Sequence, residues 1–283
     1  MNWLVLSIIS VVMLSVSNLL RRVLMKDEKS DVMAYSFVFQ ILCALLVGLF
    51  AFAYDFVAPP IREFPLNFAL TGVLYAAGTM LLFKAYKTTE ASRVTILTSS
   101  SALWVIITAI IFLGESFTLL KAVGVTLTLV GVILVSIKPK TGTLFSRGDL
   151  YALAGAAVYG VAFTNDAFIL QSANALSYTS LAFFLPGLLI LLIRPSLVKN
   201  LKLFLRPSVL LKMTTFSIFY SISAVTVYLA YQKGGDAAQL GSISQSVVVL
   251  TVLLAAIFLG ERENLIKKSV AAMLATIGVL LLR

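Results

Sequence analysis

The chain contains no histidine and one cysteine, Cys43. Without histidine there can be no imidazole metal site, serine–histidine triad or histidine proton relay. A single thiol excludes an intrachain disulfide, and the apolar run around Cys43 makes it a packed or lipid-facing residue. Charge is scarce too: Asp, Glu, Lys and Arg make up 12% of 283 residues, about half their share in soluble domains. Gly-rich phosphate loops, metal-ligand clusters and nucleophile–base pairs are missing from the sequence. Tyr54-Asp55 and Gly234-Gly235-Asp236 faintly suggest an intramembrane aspartyl protease, but the glycine spacing is wrong. An enzyme, a bound cofactor and ATP-driven chemistry are therefore not expected.

What the chain has is apolar surface. Hydrophobic residues make up 60%, and mean hydropathy is +1.02. A hydrocarbon core about 30 Å thick needs roughly 20 apolar residues per helix. Ten segments meet that measure, near 2–24, 33–54, 66–86, 91–113, 117–137, 149–170, 175–193, 209–231, 237–259 and 266–282. Met1-Asn2-Trp3 leads straight into the first, with no basic segment or cleavage site, so a removable signal peptide is not expected. The expected class is an all-α integral, multi-pass membrane protein of the cell or inner membrane.

The net charge of +10 would suggest nucleic acid in a soluble protein, but its distribution gives it another meaning. Of 22 Lys and Arg, 18 fall in odd-numbered connections, Arg21, Arg22 and Lys26 among them. The remaining 4, Arg62, Lys121, Lys233 and Arg283, fall in even connections and the C-terminus. Cytoplasmic loops retain positive charge, so the odd loops are predicted inside and both termini outside. No nucleic-acid partner is implied.

The sequence also repeats itself. Ile111 to Glu115 and Ile257 to Glu261 both read Ile-Phe-Leu-Gly-Glu. Ala85-Tyr86 matches Ala230-Tyr231, Gly131-Val132 matches Gly278-Val279, and Asn18 falls near Asn165. Two halves are predicted, 1–140 and 146–283, with five spans each. An odd number of spans forces the copies to insert in opposite orientations, and such inverted repeats place a site near the midplane between them.

These features resemble EamA-type members of the drug/metabolite transporter superfamily across essentially the whole chain. The carriers of that resemblance are the ten spans, the duplication, and the Leu-Gly-Glu turns at 113–115 and 259–261, each followed by a helix with a late Gly-Val pair. The resemblance implies export of amino acids or other metabolites, or exchange of nucleotide sugars and sugar phosphates. The chain departs from the family pattern at Gln40, where an arginine is common, and at Ala102 and Val248, where prolines are common. The resemblance also implies cytoplasmic termini, against the charge distribution, which runs through every loop and is preferred.

Polar side chains inside spans are the best pointers to a pathway, because lipid cannot satisfy them. The candidates for substrate binding are Asn18, Tyr75, Thr79, Ser99, Ser100, Trp104, Asn165, Asp166, Tyr220, Ser223, Tyr228 and Gln245. Equivalent spans are polar at similar depth, as a central cavity requires, although interhelical hydrogen bonding would also account for individual serines. Asp166 is the one carboxylate well inside a span. It reads either as a proton-coupling or ammonium site, or as the partner of Arg21 or Arg22. Glu90, Asp236, Glu115 and Glu261 open spans and read as helix caps. Trp3 reads as an interfacial anchor, and Ala152, Ala156 and Gly160 as a close-packing face.

The expected function is secondary transport of small polar or amphipathic metabolites, amino acids first, by alternating access through a cavity between the repeats. The partners expected are a small-molecule substrate, membrane lipid and a coupling proton or other ion, in a monomer or homodimer. The rival is a non-transporting membrane scaffold or lipid-interacting protein.

Overall fold

The structure, a computed structural model, describes residues 2–26, 30–113, 118–137, 145–233 and 237–281. Glu115 and Asp236 lie outside the described residues, as does the side chain of Ser242. The described residues form α1 (Trp3–Met25), α2 (Val32–Tyr54), α3 (Pro65–Thr88), α4 (Ala91–Thr98), α5 (Ser101–Leu113), α6 (Leu119–Ser136), α7 (Arg147–Leu170), α8 (Ala175–Ile193), α9 (Leu197–Asn200), α10 (Pro207–Gln232), α11 (Ala237–Phe258) and α12 (Leu265–Leu281), with a 3₁₀ turn at Leu201–Leu205. No strand occurs among them. At 1.5 Å per residue, the 23 residues of α1 reach about 34 Å, enough to cross the hydrocarbon. Eight stretches are long and apolar enough to span, and the apolar part of α11, Ile243–Phe258, is shorter.

One predicted span is not a single helix. The segment expected at 91–113 divides into α4 and α5 at Ser99 and Ser100. There the backbone tightens: Ser99 N–H bonds Ile96 O at 3.3 Å and Ser100 N–H bonds Leu97 O at 3.2 Å, each three residues back. The serine hydroxyls donate to the same carbonyls, at 2.6 and 2.7 Å. Side chains that capture main-chain acceptors compete with the helix ladder, which explains the break. The two serines that looked like cavity lining instead fold back on their own backbone. Irregular backbone at this depth is tolerated only where protein or a cavity surrounds it, and both residues are buried.

The helices pack as two exchanged sets. α1 packs on α10 and α11, while its counterpart α7 packs on α3 and on α4 with α5. The pairs α2–α8, α6–α12 and α4–α11 each join equivalent helices. The repeated glycines are explained at the α6–α12 crossing. A Cβ on Gly131 would lie 2.7 Å from Ala271 O, and one on Gly278 2.3 Å from Thr128 Oγ1. Gly160 does the same for α7 on α5, its absent Cβ falling 2.4 Å from Trp104 Cβ.

A carboxylate also ties the halves together, though not the one expected. Glu90 precedes α4 but makes no capping bond with its side chain; it pairs with Lys268 at 2.5 Å. The α4 N-terminus is capped from the other half. Glu261 accepts from Ala91 N at 2.9 Å, Ser92 N at 3.0 Å and Ser92 Oγ at 2.6 Å. The prediction that Glu261 caps a helix holds, but that helix is α4 rather than the adjacent α12. A buried helix end requires such partners, and sequence adjacency does not determine which acid supplies them.

Candidate functional site

A stripe along α3 organises the polar interior. Asn67, Thr71, Tyr75, Thr79 and Phe83 recur every four residues, with Tyr86 completing the row, so all share one face. Together they meet three groups of neighbours. Asn67 Nδ2 donates to Asn165 Oδ1 at 2.8 Å, and Asn165 Nδ2 returns bonds to Asn67 O and Thr71 Oγ1 at 3.0 Å. Thr79 Oγ1 accepts from Gln40 Nε2 at 2.8 Å and meets Tyr159 OH at 3.0 Å.

At Tyr75 the stripe reaches Asp166. Tyr75 OH donates to Asp166 Oδ2, and Tyr178 OH donates to Oδ1 at 2.6 Å. Tyr178 OH also meets Thr71 Oγ1 at 3.0 Å. The carboxylate is therefore gripped by two phenols from α3 and α8, one in each half of the chain. No basic side chain reaches it among the described residues. The expected pairing with Arg21 or Arg22 does not occur: Arg22 Nη1 donates to Tyr86 O at 2.6 Å and Lys87 O at 3.0 Å, closing the end of α3.

Arg21 is the residue that the loop assignment concealed. It lies within α1, is 4% exposed, and its guanidinium sits over Phe39, Phe83, Tyr86, Phe216 and Tyr220 at 5.2–5.7 Å from each ring centre. Placing arginine at the centre of a membrane helix costs about 2.5–3.5 kcal/mol on insertion scales, an upper bound for Arg21, one turn from the end of α1. Five ring contacts of about 0.5–2 kcal/mol each match or exceed that cost, which accounts for a cation held without a counter-ion among the described residues. The rings stabilise charge but offer no lone pair, and Arg21 Nε has no hydrogen-bond partner among the described residues. Ser17 Oγ, Ser36 Oγ, Gln40 Oε1 and Thr251 Oγ1 are likewise buried without a partner among the described residues, while Ser217 and Ser221 lie against the Cys43 thiol.

The structure brings Tyr75, Thr79, Asn165 and Asp166 into one connected network. Tyr220 belongs instead to the Arg21 cage, where it stands edge-on to Phe39 at 5.0 Å. Asn18 is buried on α1, three residues before Arg21. Ser223 bonds Ser10 across α1 and α10 at 2.9 Å, an interhelical tie. Tyr228 OH accepts from Asn174 Nδ2 at 3.5 Å near the helix end. Gln245 meets Thr276 Oγ1 through its main-chain oxygen at 3.5 Å, and Trp104 is 41% exposed on α5. Ser99 and Ser100, already placed at the helix break, do not join the network. Sequence reading missed Asn67, Thr71, Tyr159, Tyr178 and Arg21. The four-residue period of α3 carried the signal for the first two.

Two exchanged sets of apolar helices, with polar residues at their seam, define a polytopic membrane protein of the transporter class. The chain belongs to the EamA-like transporter family, which matches residues 1–137 and 146–283. It is thus an integral, multi-pass membrane protein of a family of transporters rather than enzymes. Its fold also matches solved structures: 27 chains match significantly. One, described only as a crystal structure of a protein, aligns over 98% of this chain and 94% of its own, with a TM-score of 0.63 and 16% identity. That degree of likeness speaks for fold alone. No curated protein matches the sequence significantly.

Proposed function

We propose that the chain is a secondary transporter of small polar or amphipathic metabolites, amino acids first, working by alternating access between its halves. The observation that carries this reading is the Asp166 grip. Tyr75 belongs to the first half, Tyr178 and Asp166 to the second. The grip joins α3 of the first half to α7 and α8 of the second, so binding or protonation at the carboxylate would change a contact that links the two halves. A substrate ammonium or a proton is the chemistry that Asp166 suits. The sequence holds no nucleotide-binding motif, so a substrate or ion gradient supplies the energy.

The charge distribution supports an orientation with odd connections cytoplasmic. C-terminal fusions to a reporter active only in the cytoplasm, and to one active only outside it, read this directly. Signal from the cytoplasmic fusion alone would reverse the assignment.

The test of function is solute exchange in proteoliposomes loaded with amino acids, sugar phosphates, nucleotide sugars and organic cations. Protein-dependent efflux of one class is the expected result. The Asp166→Asn variant should remain folded and lose that flux. Folded protein that moves no solute would discard the transport reading in favour of a scaffold.

A further inference from the structure

Arg21 poses a separate problem that the Asp166 network does not solve. A guanidinium carries five N–H donors, and buried donors are almost always paired. None of those in Arg21 makes a hydrogen bond among the described residues, and Nε is fully enclosed. The unpaired groups nearby in the chain are not scattered. Ser17 lies one turn earlier on the same face of α1, and Gln40 follows the cage residue Phe39. Ser217 and Ser221 on α10 lie instead against the buried Cys43 thiol. Arg21 thus holds a buried donor with no hydrogen-bond acceptor among the described residues, inside a cage of five rings.

We infer that Arg21 is a docking site for the oxyanion of a small metabolite, a carboxylate or a phosphate group, with the Ser17 hydroxyl one turn away as a supporting donor. The inference rests on the transport reading and narrows its substrate to anionic or zwitterionic solutes. The chemistry follows from geometry. A guanidinium fork matches two oxygens of one oxyanion, and the aromatic walls favour Arg over Lys because its planar cation is less hydrated. Arg21 and Asp166 do not hold the two ends of one α-amino acid at once. The stripe residues that meet them, Tyr75 and Phe83, are eight residues apart, about 12 Å along the helix. Arg21 is therefore a separate station on the path, near the end of the bundle that carries the odd connections.

The test uses the full-length chain in proteoliposomes and, in parallel, thermal unfolding in detergent. The solutes are L-amino acids, the corresponding amino-acid amides, glycerol phosphate and inorganic phosphate. Wild type, Arg21→Gln and Arg21→Lys are compared. Expected is exchange of, and thermal stabilisation by, either the free acids or the phosphates, with the amides doing neither. Arg21→Gln should lose roughly 10- to 100-fold of that exchange, and Arg21→Lys should keep part of it. Whether acids or phosphates respond identifies the oxyanion.

Acids and amides handled alike by wild type and by Arg21→Gln would overturn the site while leaving transport intact. If no solute is exchanged at all, transport falls, and the thermal arm still decides. An anion-dependent shift that vanishes in Arg21→Gln sustains docking, and its absence in wild type overturns it. Should Arg21→Gln fail to fold, a fully wild-type anion response in Arg21→Lys, across all solutes, counts against a guanidinium fork.

Discussion

Arg21 and Asp166 occupy similar positions in equivalent helices, each four residues from the end of α1 or α7, yet their surroundings differ in kind. Asp166 is held by polar contacts: two phenol hydroxyls, with a third hydroxyl and two asparagines behind them. Arg21 is held by ring faces, and its guanidinium makes no hydrogen bond among the described residues. The repeat makes the contrast sharper. Tyr75 and Tyr220 are equivalent, 145 residues apart like Ala85 and Ala230. Tyr75 turns its hydroxyl to the acid, while Tyr220 presents its ring to the base. One scaffold position has served two opposite charges by using different parts of the same side chain. The lesson is that an inverted duplication fixes where a site can form, and the local residues decide what it binds.

The comparison predicts unequal costs when each charge is deleted. Asp166→Leu should be the most damaging change, because it leaves Tyr75 and Tyr178 hydroxyls facing an apolar side chain. At about 1–3 kcal/mol for a buried orphan, with Tyr178 keeping its Thr71 contact, a loss of about 2–4 kcal/mol is expected in reversible unfolding in mixed micelles. Wild-type stability in this variant would mean that the phenols find other partners, and the contrast with Arg21 would collapse.

Next in size are the phenols themselves. Tyr75→Phe and Tyr178→Phe each remove one charge-assisted bond, for about 1.5–3 kcal/mol. Measured as a double-mutant cycle, the pair should be non-additive, since both act on one carboxylate. Strict additivity would show two independent contacts rather than one grip.

Ser223→Ala supplies the scale. Its contact with Ser10 is an ordinary interhelical hydrogen bond at 2.9 Å, and such bonds average about 0.6 kcal/mol in membranes. A loss as large as that of Asp166→Leu would mean that polar contacts throughout the bundle cost alike, and that the acid is not special.

Much of this was legible in the sequence, for reasons that separate local from distant information. Apolar run length gave the helices, and repeated glycines marked the α6–α12 crossing because close approach demands the same residue in both copies. Asp166 stood out because an acid inside an apolar run has few explanations. Other features depended on contacts that no local pattern holds. Arg21 lies inside the segment predicted as the first span, but one turn from its end, where a cation normally reaches for water. Only the aromatic residues of α2, α3 and α10 turn it inward. Glu261 looked like a cap, and local sequence could not say that α4 of the other half was its target. Ser99 and Ser100 looked like polar lining, whereas the energetic competition for Ile96 and Leu97 carbonyls made them a helix break.

The smallest predicted effect is also the one most able to break the comparison. Arg21→Met replaces a buried cation with an unbranched apolar side chain among five rings. The cation's desolvation cost disappears along with the ring attraction, and methionine sulfur itself packs favourably against aromatic edges. No hydrogen-bond acceptor is stranded, because Arg21 donates to none among the described residues. The net change in unfolding free energy should lie within about 1 kcal/mol of zero, in either direction. A loss of about 3 kcal/mol or more would show that the guanidinium is a structural strut whose partner forms in the folded membrane state. Near-neutral stability, set beside the large cost at Asp166, would establish that a chain can carry a buried charge its fold does not need.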